Sequence, residues 1–247
     1  MELKNLIASS ETVDIYREGD KAVKIFKTGR KTDALYEALT HARVEYTSLL
    51  VPTIHEVSVI DGHWAITMDL IEGETLEDRM KKHPDKLDEY LDEMVELQLK
   101  VHKESMPKLS KLKDKLTRLI NSLDDISDSI KYELLTRLDS MPKHVKLCHG
   151  NFVPANIILN EKGTYIVDWI AARQGNASAD VAKTYLMLTL ESPDMAEKYL
   201  NLFCEKTNTS KKYVQDWLPI VAAARLTEKR PEERDLLMKW VDVVAYE

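Results

Sequence analysis

The sequence predicts an α+β chain: a small β-sheet with one helix over residues 1–72, then a larger, mainly helical part over residues 73–247. Three observations lead there. Up to residue 70, Val, Ile and aromatic side chains crowd into short runs, at residues 21–26 (KAVKIF), 53–60 and 63–70, which is the composition of strands. Asp61-Gly62 joins the last two runs, and both residue types tolerate the positive φ of a tight hairpin turn. Between the runs, TDALYEALTHARVEYTSLL has helical periodicity that puts Leu35, Leu39, Ala42 and Tyr46 on one face, with Thr32 or Asp33 able to cap its start. After Gly73 amphipathic helical spacing takes over, in residues 76–82, 86–103 and 109–123 and again from Asp180 onward. Two short strand-like runs, 156–159 and 164–167, interrupt the helices and are joined by a turn at Lys162-Gly163. The lysine-rich stretch KLSKLKDKLTRL alternates charged and apolar residues at helical spacing, the pattern of a solvated helix face rather than an anion site.

With 44% apolar and 31% charged residues, 247 residues can bury a real core and suit one two-lobed domain or two small ones. The formal net charge of −7 argues against a nucleic-acid partner, which would need a basic face. A cationic small molecule is compatible with that charge, although an ordinary soluble surface accounts for it as well. Cys148 and Cys204 are too few for a disulfide framework and are not spaced as metal ligands, so free buried thiols are expected. The start, MELKNLIASSETVD, has no basic segment leading into an apolar stretch. No run approaches the apolar length of about 18 residues that spans a bilayer. A cytoplasmic protein without membrane association is the expectation.

The most informative run is LCHGNFVPANIIL, residues 147–159, followed by IVDW, residues 166–169. Kinase-type phosphoryl transfer needs a carboxylate on a loop to orient a hydroxyl, a short oxygen-bearing side chain for Mg²⁺ a few residues later, and a second Mg²⁺ carboxylate leaving a nearby strand. Asn156 and Asp168 stand in the last two positions, and Asn151 stands in the first. Upstream, Lys24 lies in VKI on the strand predicted at residues 21–26, and downstream Asp180 lies in QGNASADVAKTYLML. Together these residues resemble the aminoglycoside phosphotransferase and choline kinase-like family. The resemblance runs from Lys24 through Asp180 by motif and onward by helical content.

That resemblance implies a two-lobed protein-kinase-like fold, with ATP (or another nucleoside triphosphate) and Mg²⁺ as cofactors. The acceptor would be a hydroxyl of a small molecule, aminoglycoside-like or another amine or sugar alcohol, in a pocket shaped by the C-terminal helices. Lys24 would contact the α- and β-phosphates. A lysine on a half-buried strand needs an anionic partner, which Glu37 on the following helix can supply, with Glu45 as a fallback. The turn IASSETVDIY lacks the glycine pattern that covers phosphates in protein kinases. Ser10, with Ser9 and Thr12, could donate to phosphate oxygens there, and an ordinary hairpin turn fits equally well. MDLIEG, residues 68–73, resembles the hinge, where the carbonyl of Asp69 and the N–H of Ile71 would meet the adenine edge and Glu72 and Glu74 would solvate it. Asn156 and Asp168 would hold Mg²⁺ through oxygen. His149 would brace the loop against the segment around Asp168, and Asp180 would brace the loop's backbone while favouring its own helix N-terminus.

Asn151 occupies the position where the family carries the catalytic Asp. An amide cannot accept a proton as a carboxylate does. Three origins stay open from sequence: an engineered isosteric change, a natural change in a retired member, or a natural change in an enzyme that tolerates it. An otherwise intact set of Lys24, Asn156 and Asp168 favours an enzyme weakened or trapped at one position. The alternative is a non-catalytic nucleotide-binding regulatory module. A protein kinase is disfavoured, because no activation segment of usual length follows Asp168 and no A-P-E is present.

Overall fold

The computed structural model describes residues 4–242. Strands β1 (Asn5–Ser9), β2 (Val13–Glu18) and β3 (Lys21–Phe26) precede helix α1 (Lys31–Val44). Next come β4 (Ile54–Ile60), β5 (His63–Asp69), the two-residue β6 (Glu74–Thr75), α2 (Leu76–Lys82) and α3 (Leu87–Lys103). Then follow α4 (Leu112–Asn121), α5 (Asp128–Ser140), β7 (Lys146–Cys148), β8 (Ile157–Asn160), β9 (Gly163–Ile166) and β10 (Arg173–Gly175). The remainder is α6 (Ala177–Glu191), α7 (Pro193–Thr207), α8 (Lys211–Gln215), α9 (Leu218–Leu226) and α10 (Pro231–Val241). The chain divides into two compact units. One runs up to Lys82 and takes in Pro154–Ala172; the other is His83–Val153 together with Arg173 and the residues after it.

The first unit is built on a five-stranded antiparallel sheet in the order β1-β2-β3-β5-β4. At the β4–β5 turn Asp61 and Gly62 both take positive φ, 48° and 83°, as the Asp-Gly pair predicts. Helix α1 lies on this sheet, with Ala34 and Ala38 packed against Phe26 and Ile66. Its buried side is Ala34, Glu37, Ala38, Thr40, His41 and Val44, whereas Leu35, Leu39 and Tyr46 are exposed. The expected apolar face is therefore the outer one. Small side chains at 34 and 38 let the helix approach the strands, and burial of a carboxylate at 37 overrides the apolar periodicity. Of the two expected capping residues it is Asp33 that acts: Arg30 holds the N-cap position, and Asp33, three residues further along the chain, accepts its backbone N–H at 2.8 Å.

The β8–β9 hairpin belongs to the sheet unit, so the division does not fall as one break after residue 72. Two ties account for this. β6 pairs with β8 (Glu74↔Leu159), and the Ile166 N–H donates to the Leu50 carbonyl at 3.0 Å. Gly73 sits where a Cβ would lie 2.5 Å from the Leu159 carbonyl oxygen, so only glycine permits that approach.

In the second unit a short antiparallel ribbon of β7 and β10 sets Arg173 opposite Cys148. Helix α6 is buried nearly all round, from Ser178 to Leu188, which marks it as the central helix of the unit. Helix α5 lies outside the segments expected to be helical from sequence. It is capped by Ser127, whose hydroxyl accepts the Ile130 N–H at 3.3 Å. Among the described residues, no helix is long and apolar enough to cross a membrane.

Candidate active site

In the first unit the candidate residues gather around Lys24. β3 is a central strand, so Lys24 is paired on both sides, with Ile15 and Ile66, and is only 8% exposed. Its Nζ donates to Glu37 Oε1 at 2.5 Å and lies 3.9 Å from Asp168 Oδ1. The Phe26 ring centroid is 5.6 Å from the same ammonium. Burial lifts the Glu37 carboxyl above its ordinary range; Lys24 opposes that lift and Asp168 adds to it. The second oxygen, Oε2, is buried with no hydrogen-bond partner among the described residues. Glu45, the fallback, accepts the Ile54 N–H at 3.0 Å instead.

Asn156 and Asp168 stand at the same end of the β8–β9 hairpin. Ile157 pairs with Ile166, and the Val167 N–H donates to the Asn156 carbonyl at 3.0 Å, so the residues flanking the pairing are brought side by side. Asp168 has φ 64° and ψ 59°, the left-handed region, which Asp tolerates better than most residues other than glycine. The following turn, Trp169–Ala171, is anchored beside it: Trp169 is buried and its indole N–H donates to the Ile166 carbonyl at 2.9 Å. An amide side chain and a carboxylate are both oxygen donors of the kind Mg²⁺ takes.

The remaining residues of this unit are tied more locally. Ser10 Oγ accepts the Val13 N–H at 3.1 Å and so builds the β1–β2 turn itself. Ser9 donates to Asp14 at 2.6 Å, and Lys27 reaches the same carboxylate at 2.8 Å. The Asp69 side chain meets Lys21 at 2.9 Å and His55 at 2.6 Å. Burial raises the Asp69 carboxyl, but the bonds from His55, Lys21 and the Thr53 N–H outweigh it and hold the group at about 2. The N–H of Leu70, between Asp69 and Ile71, is spent on the Asp20 carbonyl at 3.0 Å. Asp69 and Ile71 line a cavity of about 440 Å³ together with Thr53, Leu70, Lys162 and Tyr165.

In the second unit, β7 delivers the chain into the loop His149–Gly150–Asn151. Asp180, fully buried, accepts the N–H of His149 at 3.1 Å and that of Gly150 at 2.7 Å. Gly150 has φ 78°, which turns the two N–H groups toward one carboxylate. The Asn151 N–H donates to His149 Nδ1 at 3.1 Å, and the His149 ring meets Phe152 edge-on at 5.8 Å. His102, on α3, places Nε2 3.0 Å from Asp180. Complete burial alone would raise the Asp180 carboxyl. The His102 ring, His149 and the Gly150 N–H outweigh it and keep the group below its ordinary range. Sequence reasoning missed His102, and only its place on the buried side of α3 could have signalled it. Both cysteines are free thiols, but only Cys148 is buried as expected and Cys204 is half-buried; burial raises both.

Residues 13–212 match the model of the phosphotransferase enzyme family, APH. Among curated proteins, none matches the chain by sequence. Among solved structures, a thermostable mutant of aminoglycoside phosphotransferase APH(4)-Ia is similar, with a TM-score of 0.70 at 13% identity over 98% of this chain and 91% of that one. A thermostable mutant of the same enzyme in a ternary complex with ADP and hygromycin B aligns equally well, with a TM-score of 0.70 at 13% identity over 97% and 90%. A choline/ethanolamine kinase family protein from Mesorhizobium loti gives 0.63 at 13% identity, over 98% of this chain and 85% of that one. At such identities the likeness is one of fold.

Proposed function

The chain belongs to the phosphotransferase enzyme family, and from that membership we propose that it transfers the γ-phosphoryl group of ATP to a hydroxyl of a small molecule. The observation that carries this reading is the convergence of Lys24, Glu37 and Asp168, with Nζ 2.5 Å from one carboxylate and 3.9 Å from the other. Glu37 holds the ammonium in place, so that Lys24 offers its positive charge to the α- and β-phosphates. The nucleotide complexes of the similar aminoglycoside phosphotransferase support a nucleotide as donor.

Asn156 and Asp168 supply the oxygen donors for Mg²⁺, which when bound neutralises charge on the phosphates. Asp168 is about one-third exposed, which leaves its carboxylate room to reach a ligand. The hinge stretch would take the adenine edge through the Asp69 carbonyl and the Ile71 N–H, and the β1–β2 turn that Ser10 ties together would lie at the phosphate end. Since the hinge contacts are backbone ones, the side chains there single out no particular nucleotide.

Asn151 sets the rate. Its amide oxygen can accept a hydrogen bond from the acceptor hydroxyl, which orients the nucleophile, but it cannot remove the proton. A missing general base costs about 10²–10⁴-fold, while positioning and metal electrostatics are retained. The acceptor is a small amine or sugar alcohol, the class that the aminoglycoside and choline/ethanolamine relatives suggest. The same Asn151 supports a second reading, a module that binds nucleotide and does not turn over. Calorimetry of ATP with and without Mg²⁺ tests the shared part of both: metal-dependent binding is expected, and binding indifferent to Mg²⁺ would remove the site assignment.

A further inference from the structure

Three helices of the second unit each present two buried residues one turn apart, and the six form two stacked layers beneath the loop. His102 and Gln98 lie four apart on α3, Asp180 and Thr184 four apart on α6, and Phe203 and Tyr199 four apart on α7, a spacing that puts each pair on one helix face. The lower layer is His102, Asp180 and Phe203: His102 bonds Asp180 at 3.0 Å and meets the Phe203 ring edge-on at 6.5 Å. Asp180 of this layer holds the N–H groups of His149 and Gly150.

The upper layer is a chain of hydrogen bonds with one direction. The Tyr199 hydroxyl donates to Gln98 Oε1, Gln98 Nε2 donates to Thr184 Oγ1 at 3.3 Å, and the Thr184 hydroxyl donates to the Phe152 carbonyl at 3.0 Å. Gln98 and Tyr199 are 0% exposed and Thr184 is 1% exposed. Reversing any one member would set donor against donor or acceptor against acceptor, so in this buried environment each bond fixes the next. With the Asn151 N–H held by His149, the backbone from residue 149 to residue 152 is fixed on both sides of the Asn151 side chain.

We propose that Thr184, Gln98 and Tyr199 are positioning residues for phosphoryl transfer: through the Phe152 carbonyl they set the direction in which the side chain at position 151 meets the acceptor hydroxyl. The proposal rests on the reading of this loop as the catalytic one. A displacement of a reacting group by about 1 Å can cost on the order of 10²-fold in rate without loss of binding. The relay therefore governs turnover rather than nucleotide affinity. Within the relay it is the Thr184 hydroxyl that bonds the loop, so the effect passes through one oxygen.

The test uses the full chain with Asn151→Asp in the background, and compares Thr184→Val, Thr184→Ser and Tyr199→Phe. Two readouts are taken: backbone amide exchange of residues 150–153, which needs no activity, and kcat against KM for ATP turnover. Thr184→Val should raise exchange of those amides about tenfold or more and lower kcat about 10- to 100-fold with KM for ATP unchanged. Thr184→Ser, which keeps the hydroxyl, should restore both, and Tyr199→Phe should fall between. Unchanged loop exchange in Thr184→Val overturns the proposal whether or not the protein turns over. Raised exchange with unchanged kcat, or failure of Thr184→Ser to rescue, overturns it as well. If the background variant shows no turnover at all while exchange still responds to Thr184, the loop is held by the relay but is not catalytic, which rejects the proposed function and the positioning role with it.

Discussion

Lys24 donates to one oxygen of Glu37 while the other oxygen of that carboxylate is buried without a hydrogen-bond partner among the described residues. A half-satisfied buried ion pair is a poor source of stability, because desolvation offsets much of the attraction. Its value lies in register: the pair fixes where a positive charge stands on the sheet. Lys24→Ala should therefore weaken triphosphate binding by about 10- to 100-fold, the worth of a charged hydrogen bond, and leave adenosine binding nearly unchanged. Equal losses for the two ligands, read by calorimetry, would make Lys24 an ordinary structural residue.

Glu37→Ala should be the more damaging change to the fold. It leaves the Lys24 ammonium inside the sheet unit with its short hydrogen bond gone, at a cost of about 3–5 kcal/mol. Urea unfolding measures it directly. A loss below about 1 kcal/mol would mean that Asp168 or water takes over as partner.

How much of this is legible in the sequence depends on distance along the chain. β3 and the β4–β5 hairpin follow from β-branched runs and Asp61-Gly62, signals contained within a few residues. The β8–β9 hairpin that sets Asn156 and Asp168 at one end is likewise local, its two short runs and the Lys162-Gly163 turn being visible in the sequence. The α1 face is misleading because Ala34, Glu37 and Ala38 are buried while Leu35 and Leu39 are exposed, the reverse of what an apolar stripe indicates. β6, β7 and β10 are too short to show any period. His102 meets Asp180 across 78 residues and Tyr199 meets Gln98 across 101, pairings that no local pattern encodes.

Asp168→Ala should abolish the Mg²⁺ dependence of ATP affinity, since its carboxylate is the charged oxygen donor at the end of the hairpin. Titrating ATP at several Mg²⁺ concentrations checks this. Retained metal dependence in the variant would move the metal site elsewhere.

Lys115, on α4, is pushed down to about 8 by burial first and then by the like charges of Lys183, Arg173 and Arg118. Between that value and the ordinary 10.5 the unfolded chain binds more protons than the folded one, so stability rises with pH through this window. Lys115→Met should consequently stabilise the protein at pH 7 by ~1–3 kcal/mol. The advantage should shrink above pH ~8 and vanish above ~10.5. Urea midpoints at neutral and alkaline pH would show it. An equal gain at both would assign the effect to packing rather than charge.

Asn151→Asp is the decisive variant for whether the amide at position 151 limits phosphoryl transfer. Phosphoryl transfer and ATP hydrolysis should be measured for both forms against a panel of aminoglycosides, choline-like amines, nucleosides and sugars, with ATP affinity measured in parallel. Transfer, or at least slow hydrolysis, should rise about 10²-fold or more with nucleotide affinity little changed. An Asp form that binds ATP yet stays inert toward every acceptor and toward water would contradict this, and would leave the nucleotide-binding module as the better description.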